Sequence, residues 1–548
     1  MKVYEAIARA IADEDVGAIF TLVGNANMDM LTSLREVGGP PLFHARHEAI
    51  AVGMAEGYAK ATGSLGVCSV TSGPALANTC LSLTQAVRSK TPLLLVTGRP
   101  GEGYSNQHFP QREFAQLVGA GYEDVPSESE ALTTVRSAFY RARTERRPIV
   151  LDVSRAVQRE SYDWPYDYQP STAEVTELTR IRPDEAAVDE ARQILRNSRR
   201  PIIIAGEGAI ASGAREDILA LARETGALLA TSLNARNWFS GDPFNIGTAG
   251  LYSWKFAGEL FAESDCVIAV GASMNHYTVE GGYLFPLART IHIDQVPQQL
   301  MGDGHRATVY LQGDARSAVR ALRSDSSLAG ERYRTQQVLA LIEKGRANVD
   351  PAVFEIEPGS TDPRRICEVL DERFPRDAAM VLGGGHSHAF SIMHMQQWRE
   401  PQLCAHHFAA IGVAFPIAVG AAIGCKDRPL LFVEGDGGLM MNFQAFEAAV
   451  RYELPLFIVV LDDSAFGSEY HQLTARGRNP GVSYLPDADF PAMARSYGGD
   501  GALVTSEADL EQAIDDFLGN PRPFVCDVRI SRNVVSVTAR RLHLGVEA

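Results

Sequence analysis

Three acidic positions stand where carboxylates can do chemistry. Residues 430–467 read LLFVEGDGGLMMNFQAFEAAVRYELPLFIVVLDDSAFG. Leu430–Glu434 reads as a strand and Gly435-Asp436-Gly437-Gly438 as a turn. Leu439, Phe443, Phe446 and Val450 recur at helical spacing, and Leu456–Leu461 is a second strand ending in Asp462-Asp463. A β-α-β unit makes the two strands parallel, so Asp436 and Asp463 leave the sheet at the same end and face one crevice. Two carboxylates there suit Mg²⁺, which keeps few protein ligands and shares the rest with phosphate and water. The glycines let backbone approach a phosphate at the start of the helix. A lone Gly-Asp-Gly is an ordinary turn, and Asp-Asp after a strand an ordinary helix cap; the combination points to metal and phosphate. The third acid is Glu48, in RHEAIAVGMAEGYAKATG, which follows the short strand pattern PLFHAR. It opens a helix of small residues, where a partly desolvated carboxyl can hydrogen-bond a neutral ring nitrogen and exchange a proton with it. An exposed first-turn glutamate favoured by the helix dipole is the alternative.

The elements that must position these groups are legible in outline. Short Val/Ile/Leu-rich runs such as PLLLVTG, PIVLDVS, PIIIAGEG, CVIAVGAS and LFIVVLDD alternate with helical patterns throughout. Runs of that kind are strands buried on both faces of a parallel sheet. The fold class is α/β, with three doubly wound, mainly parallel-sheet domains and ligand sites at the carboxyl ends of the strands. Two polar, weakly periodic stretches, 156–184 and 345–362, read as linkers. The expected domains are 1–165, carrying Glu48; 185–345, a Rossmann-like structural unit; and 360–548, carrying the metal and diphosphate motif.

The chain has 548 residues and a formal net charge of −16, with no Lys/Arg-rich run. That argues against nucleic acid and anionic membranes as partners. The first residues, MKVYEAIARAIADEDVG, read as a short amphipathic helix rather than a signal peptide. No apolar run approaches the ~20 residues that span a bilayer. Seven scattered cysteines without a C-x-x-C pair read as buried, reduced thiols, which places the chain in the cytoplasm.

Gly435-Asp436-Gly437, with a ligand position 27 residues after its Asp, resembles the signature of thiamine-diphosphate enzymes. Members of that family usually carry Asn-Asn where this chain has Asp462-Asp463, so the chain places an added negative charge beside the diphosphate. The resemblance implies metal-ligand roles for Asp436, Asp463 and the backbone carbonyl of Ala465. It places Gly435, Gly437, Gly438, Phe466 and Gly467 at the cofactor. The segment around Glu48 resembles the family's activating helix. Glu48 would then exchange a proton with the aminopyrimidine ring, the step that precedes attack on a 2-oxo acid carbonyl. Glu and metal ligands come from different subunits in the family, implying a homodimer with shared active sites, in many members a tetramer.

Further segments carry the same resemblance. TSGPALAN resembles the family's TSGPGATN turn, with Ala75 replacing a glycine, and brings Gly73 and Asn78 to the cofactor. Gly24 in TLVGNAN resembles the glycine of the first active-site loop, beside Asn25 and Asn27. Gln111 and Glu113, with His108 nearby, lie where relatives place polar active-site side chains; surface turns are the alternative for all of these. Gly385, His386 and Ser387 match the diphosphate loop; their HxH spacing, with no third ligand, does not make a metal site. In FAAIGVAFP, Ile411 matches the apolar wedge that bends the cofactor and Ala409 the carbonyl that holds its amino group. GEGAIASGA in the middle unit is a lone GxG, which does not support FAD there. Phe466 to His471, with Tyr470 and His471 as candidate substrate contacts, and the tail VVSVTARRLHLGVEA are expected to line or cover the pocket.

The overall pattern is most similar to acetolactate-synthase-like proteins within the group that includes benzoylformate and pyruvate decarboxylases. It implies thiamine diphosphate and Mg²⁺ as cofactors. The implied reaction is decarboxylation of a 2-oxo acid, then carboligation of the carbanion to a second carbonyl. Decarboxylation or C–C lysis to an aldehyde, and a non-catalytic cofactor-binding homologue, are the alternatives.

Overall fold

The computed structural model describes residues 1–100, 105–174, 179–296, 306–324 and 330–544. Three six-stranded sheets follow one another along the chain, and every strand pair in them is parallel. The first contains β1 (Ile19–Thr21), β2 (Leu42–His44), β3 (Gly66–Ser69), β4 (Leu93–Arg99), β5 (Gly121–Val125) and β6 (Pro148–Ser154), in the order β2-β1-β3-β4-β6-β5. The second contains β7 (Pro201–Ala205), β8 (Leu228–Thr231), β9 (Asn245–Thr248), β10 (Cys266–Val270), β11 (Arg289–Asp294) and β12 (Val309–Gln312), in the order β12-β11-β10-β7-β8-β9. The third contains β13 (Ala379–Leu382), β14 (Gln402–Cys404), β15 (Leu430–Gly435), β16 (Leu456–Asp462), β17 (Asp500–Val504) and β18 (Phe524–Arg529). Its order, β14-β13-β15-β16-β18-β17, repeats that of the first sheet. The α/β architecture expected from the buried apolar runs is the one observed.

Five helices matter for the site: α1 (Glu48–Thr62), α2 (Gly385–His394), α3 (Ala414–Gly424), α4 (Asp436–Met441) and α5 (Gly467–Ala475). His47 caps α1, its Nδ1 accepting from Ala49 N, and Gly63 ends it in the left-handed conformation. The packing of α1 on α3 organises the molecule. A Cβ on Gly57 would lie 2.0 Å from the carbonyl oxygen of Ile417, and one on Gly420 would lie 1.9 Å from that of Met54. Only glycine permits this backbone approach, so the small-residue runs in both helices are a packing requirement. Around this contact one apolar core joins the first and third domains, with Ile50, Val52, Phe415 and Ile417 fully or almost fully buried. Deep burial of such side chains is the main favourable term in folding, ~1.5–3 kcal/mol each.

Two local expectations are corrected. The helix read across 439–450 breaks: α4 ends at Met441, Asn442 leaves the helical region (φ −137°, ψ 30°), and a short 3₁₀ turn precedes Phe446–Arg451. The apolar face survives with Leu439, Phe443 and Phe446 buried, because Asn442 turns its amide onto the Gly412 carbonyl at 2.9 Å. Six cysteines are buried free thiols, but Cys80 is exposed at the start of a helix. Among the described residues no helix is long and apolar enough to cross a membrane.

Candidate active site

The register of β15 on β16 pairs Gly435 with Leu461, so the chain leaves both strands at the same level. Asp436 begins α4 and Asp463 follows β16; both are buried. Burial, then the neighbouring carboxylates of Asp463 and Asp462, hold Asp436 well above the ordinary carboxylate range. Burial and Asp462 push Asp463 up to about 7, although its Oδ1 accepts from Ala465 N at 3.2 Å. The Asp-Asp pair divides its labour. Asp462 Oδ2 pairs with Arg529 at 2.9 Å and its Oδ1 accepts from Ser464 N, so Asp462 is structural. Asp463 is left to face Asp436. Immediately after them Ser464 is held at φ +51°, a left-handed conformation that for a non-glycine costs about 1–3 kcal/mol.

The loop before α2 meets this turn. Ser387 Oγ donates to Gly384 O, and a Cβ on Gly435 would lie 3.2 Å from that hydroxyl. His386 packs its ring on His471 of α5, centroids 4.4 Å apart, and its Nε2 accepts from Ser536 N at 3.1 Å. A Cβ on Gly467 would fall 2.6 Å from Asp463 Oδ2, and one on Gly437 would fall 2.7 Å from the Phe466 ring. Gly385, His386, Ser387, Gly435, Asp436, Gly437, Asp463, Phe466, Gly467 and His471 thus form one cluster. Ala465 is buried beside it, whereas Tyr470 is half-buried and stacks towards Tyr484. The tail reaches this cluster through Ser536; its last four residues lie outside the described residues.

Glu434 belongs to the cluster and was not singled out from sequence. Its Oε1 accepts from Gly384 N at 3.1 Å and Gly435 N at 3.0 Å, bridging the two loops. Burial pushes it up to about 7. A glutamate inside the buried run LLFVEG was the available signal.

A second cluster surrounds Glu48. The half-buried carboxylate takes 2.9 Å from Asn78 Nδ2. Gly73, at φ +56°, starts the turn that carries Asn78, and its N donates to Gln111 Oε1 at 3.1 Å. Gln111 is buried and its Nε2 donates to Asp152 at 2.9 Å. Both ends of its amide are engaged, so it braces the turn. Asn27 is likewise turned inward, binding Gly24 N, Leu22 O and Ser69. Asn25, His108 and Glu113 are exposed, and a Cβ on Gly24 would strike Thr71. In the loop before α3, Ala409 is held at φ +54° and Ile411 is half-buried. Arg46–Glu447 and His44 N to Tyr452 Oη, 2.7 and 2.6 Å, help join the first domain to the third.

The donor set fits a divalent cation and a diphosphate. Asp463 raises the proton affinity of the buried Asp436 beside it, as an anionic, cation-binding pair does. Among the described residues no group of three or more His, Cys, Asp or Glu could hold a metal. The middle domain's GxG does not form an open cradle: Cβ atoms on Gly206 and Gly208 would meet Gly271 O at 2.3 and 3.0 Å. A separate cavity of about 720 Å³, lined by Trp254, Arg346, His394 and Gln397 among others, includes none of the candidate site residues.

Comparison with known proteins agrees with this geometry. Family models for the thiamine pyrophosphate enzymes match residues 1–118 (N-terminal TPP binding domain), 188–322 (central domain) and 383–528 (C-terminal TPP binding domain). The chain is 27% identical to a probable acetolactate synthase large subunit of Methanocaldococcus jannaschii, over 97% of this chain and 92% of that protein. It is 28% identical to acetolactate synthase isozyme 2 large subunit of Escherichia coli (96% and 94% covered) and 26% to the chloroplastic acetolactate synthase 1 of Nicotiana tabacum (96% and 81%). With all three domain models matched in order, over three parallel sheets with clustered site residues, the chain belongs to the thiamine pyrophosphate enzyme family.

Proposed function

We propose that this thiamine-pyrophosphate-dependent enzyme decarboxylates a 2-oxo acid with Mg²⁺ and joins the resulting acyl carbanion to a second carbonyl, as an acetolactate-synthase-like carboligase. The observation that supports the reading is the pair Asp436–Asp463, two buried carboxylates at the ends of adjacent parallel strands. Asp436, Asp463 and the Ala465 carbonyl would hold the metal. Gly385, His386, Ser387 and Gly435–Gly438 would receive the diphosphate. Bound thiamine diphosphate supplies a thiazolium carbon that can stabilise the electrons released with CO₂. Glu48 would hold and return a proton at a ring nitrogen of the cofactor, oriented by Asn78 at its Oε2. Ile411 would press on the cofactor from its loop, with Ala409 accepting at its carbonyl.

The proposed domain limits remain 1–165, 185–345 and 360–548. A cytoplasmic homodimer is part of the reading: exposed Phe408 in the loop before α3, with Met440 and Met441 on α4, is apolar surface that a second copy would cover. The test is turnover of a 2-oxo acid panel with thiamine diphosphate and Mg²⁺ added or withheld, following CO₂ and product mass. Cofactor-dependent CO₂ with a coupled product supports carboligation. An aldehyde alone makes the enzyme a simple decarboxylase. No CO₂ from any donor, with cofactor bound, overturns the catalytic reading.

A further inference from the structure

The loop between β14 and α3 carries two histidines that none of these roles uses. His406 packs edge-on against His388 of α2, ring centroids 3.6 Å apart at 82°. His388 is 2% exposed. The Gly383 backbone lies near its ring, yet neither ring nitrogen of His388, nor Nε2 of His406, has a hydrogen-bond partner of good geometry among the described residues. A Cβ on Gly384 would lie 3.9 Å from Cε1 of His406, so the pair borders the loop assigned to the diphosphate. From the other side Tyr252 of the middle domain meets His388 edge-on at 5.8 Å.

The next residue fixes this arrangement. His407 Nε2 lies 2.9 Å from both Glu207 Oε2 and Asn234 Nδ2, tying the loop to the middle domain. His406 therefore has little freedom to swing away. Burial lowers the proton affinity of both rings, to about 4 for His406, so both are neutral imidazoles at neutral pH. The buried His292, by contrast, gives Nε2 to the Ala272 carbonyl at 3.1 Å. Three buried ring nitrogens without a well-formed hydrogen bond in one place are costly unless a ligand satisfies them. Neutral imidazoles offer one N–H donor and one acceptor each. That set matches a hydroxyl, which both donates and accepts, better than a carboxylate, which calls for a cation.

Resting on the 2-oxo acid reading above, we propose that His388 and His406 form a specificity element that recognises a hydroxyl on the acyl donor. The site then takes a hydroxylated 2-oxo acid in preference to its unsubstituted analogue. A site built to hydrogen-bond a substrate hydroxyl discriminates strongly against the analogue lacking it.

The test compares 3-hydroxypyruvate with pyruvate on the holoenzyme with thiamine diphosphate and Mg²⁺. The expected result is at least a tenfold preference in kcat/KM for 3-hydroxypyruvate. His406→Leu and His388→Leu should each remove most of that preference while leaving pyruvate turnover and cofactor affinity within about threefold. His406→Gln, which keeps a donor and an acceptor, should retain part of it. A preference for pyruvate, an equal fall with both donors, or a loss of cofactor affinity overturns the proposal. If neither donor is turned over, the 2-oxo acid reading fails for this pair. Saturation-transfer NMR of both compounds then decides the inference separately: contact with 3-hydroxypyruvate that His406→Leu abolishes supports it, and equal signals for both compounds overturn it.

Discussion

The first and third sheets share one strand order and part company in what they do with charge at the carboxyl ends of their strands. In the first sheet β4 ends in Arg99, which reaches Asp124 at 2.5 Å and the buried Asp152 at 3.1 Å. Asp152 also accepts from Tyr122 and Gln111. In the third sheet the corresponding strand, β16, ends in Asp462-Asp463. Asp462 is neutralised by Arg529, and Asp463 is left beside Asp436. One scaffold thus closes its charges internally and the other leaves two buried carboxylates open. Burying an uncompensated charge is expensive, which is why the open pair is the proposed seat of the cation. Fold alone does not make that distinction; the charge ledger at the strand ends does.

The largest expected effect lies in the first domain. Glu48→Gln should lower kcat by ~10²–10⁴-fold, the range for loss of a general acid–base group, while thiamine diphosphate still binds. Steady-state turnover together with cofactor titration checks both halves. Undiminished kcat would remove Glu48 from the proton-transfer role. Next is the pair that tests the contrast itself. Asp436→Ala should weaken cofactor and Mg²⁺ binding ~10–100-fold with a small change in stability. Arg99→Met, which leaves the buried Asp152 without its cation, should do the reverse: a loss of ~1–3 kcal/mol in denaturant unfolding and no change in Mg²⁺ affinity. If both variants alter Mg²⁺ binding alike, the two sheet ends are not functionally distinct.

Much of this contrast was legible in the sequence because it rests on strand runs and on residues adjacent to them. The parallel sheets follow from runs such as LFIVVLDD, and the convergence of Asp436 and Asp463 follows from the β-α-β rule. Long-range partners were not legible. Nothing local in Asp462-Asp463 tells which one Arg529 takes, 66 residues downstream of Asp463. The sequence around Gln111 carries no record of Gly73 and Asp152, which take the two ends of its amide. Asn442 broke a helix whose apolar spacing is intact, because its amide finds the Gly412 carbonyl and side-chain spacing carries no record of that bond. His406 and Glu434 were passed over for the same reason: their meaning lies in what surrounds them.

The smallest effects are the most direct measure of the open charges. Asp436 and Asp463 hold protons in the folded chain at pH values where the unfolded chain has released them. The folded state therefore binds more protons, and metal-free stability should fall as pH rises from the ordinary carboxylate range, ~4, to neutrality, by up to ~1.4 kcal/mol per pH unit for each proton. Mg²⁺ replaces those protons, so the rise in Tm it produces should grow with pH between about 5 and 7.5. Asp463→Asn then sharpens the comparison. It keeps an oxygen ligand, removes one of the two titrating groups and relieves Asp436 of its nearest like charge. The metal-free variant should be more stable at neutral pH than the parent, by ~1–2 kcal/mol, with a shallower pH dependence. Its Mg²⁺-induced Tm shift should rise less steeply with pH, because only Asp436 still exchanges a proton for the cation. Calorimetric scans of both proteins, with Mg²⁺ or EDTA across this pH range, give the slopes. Equal slopes would mean that Asp463 does not titrate with Asp436, and the carboxylate pair could not be the cation's seat.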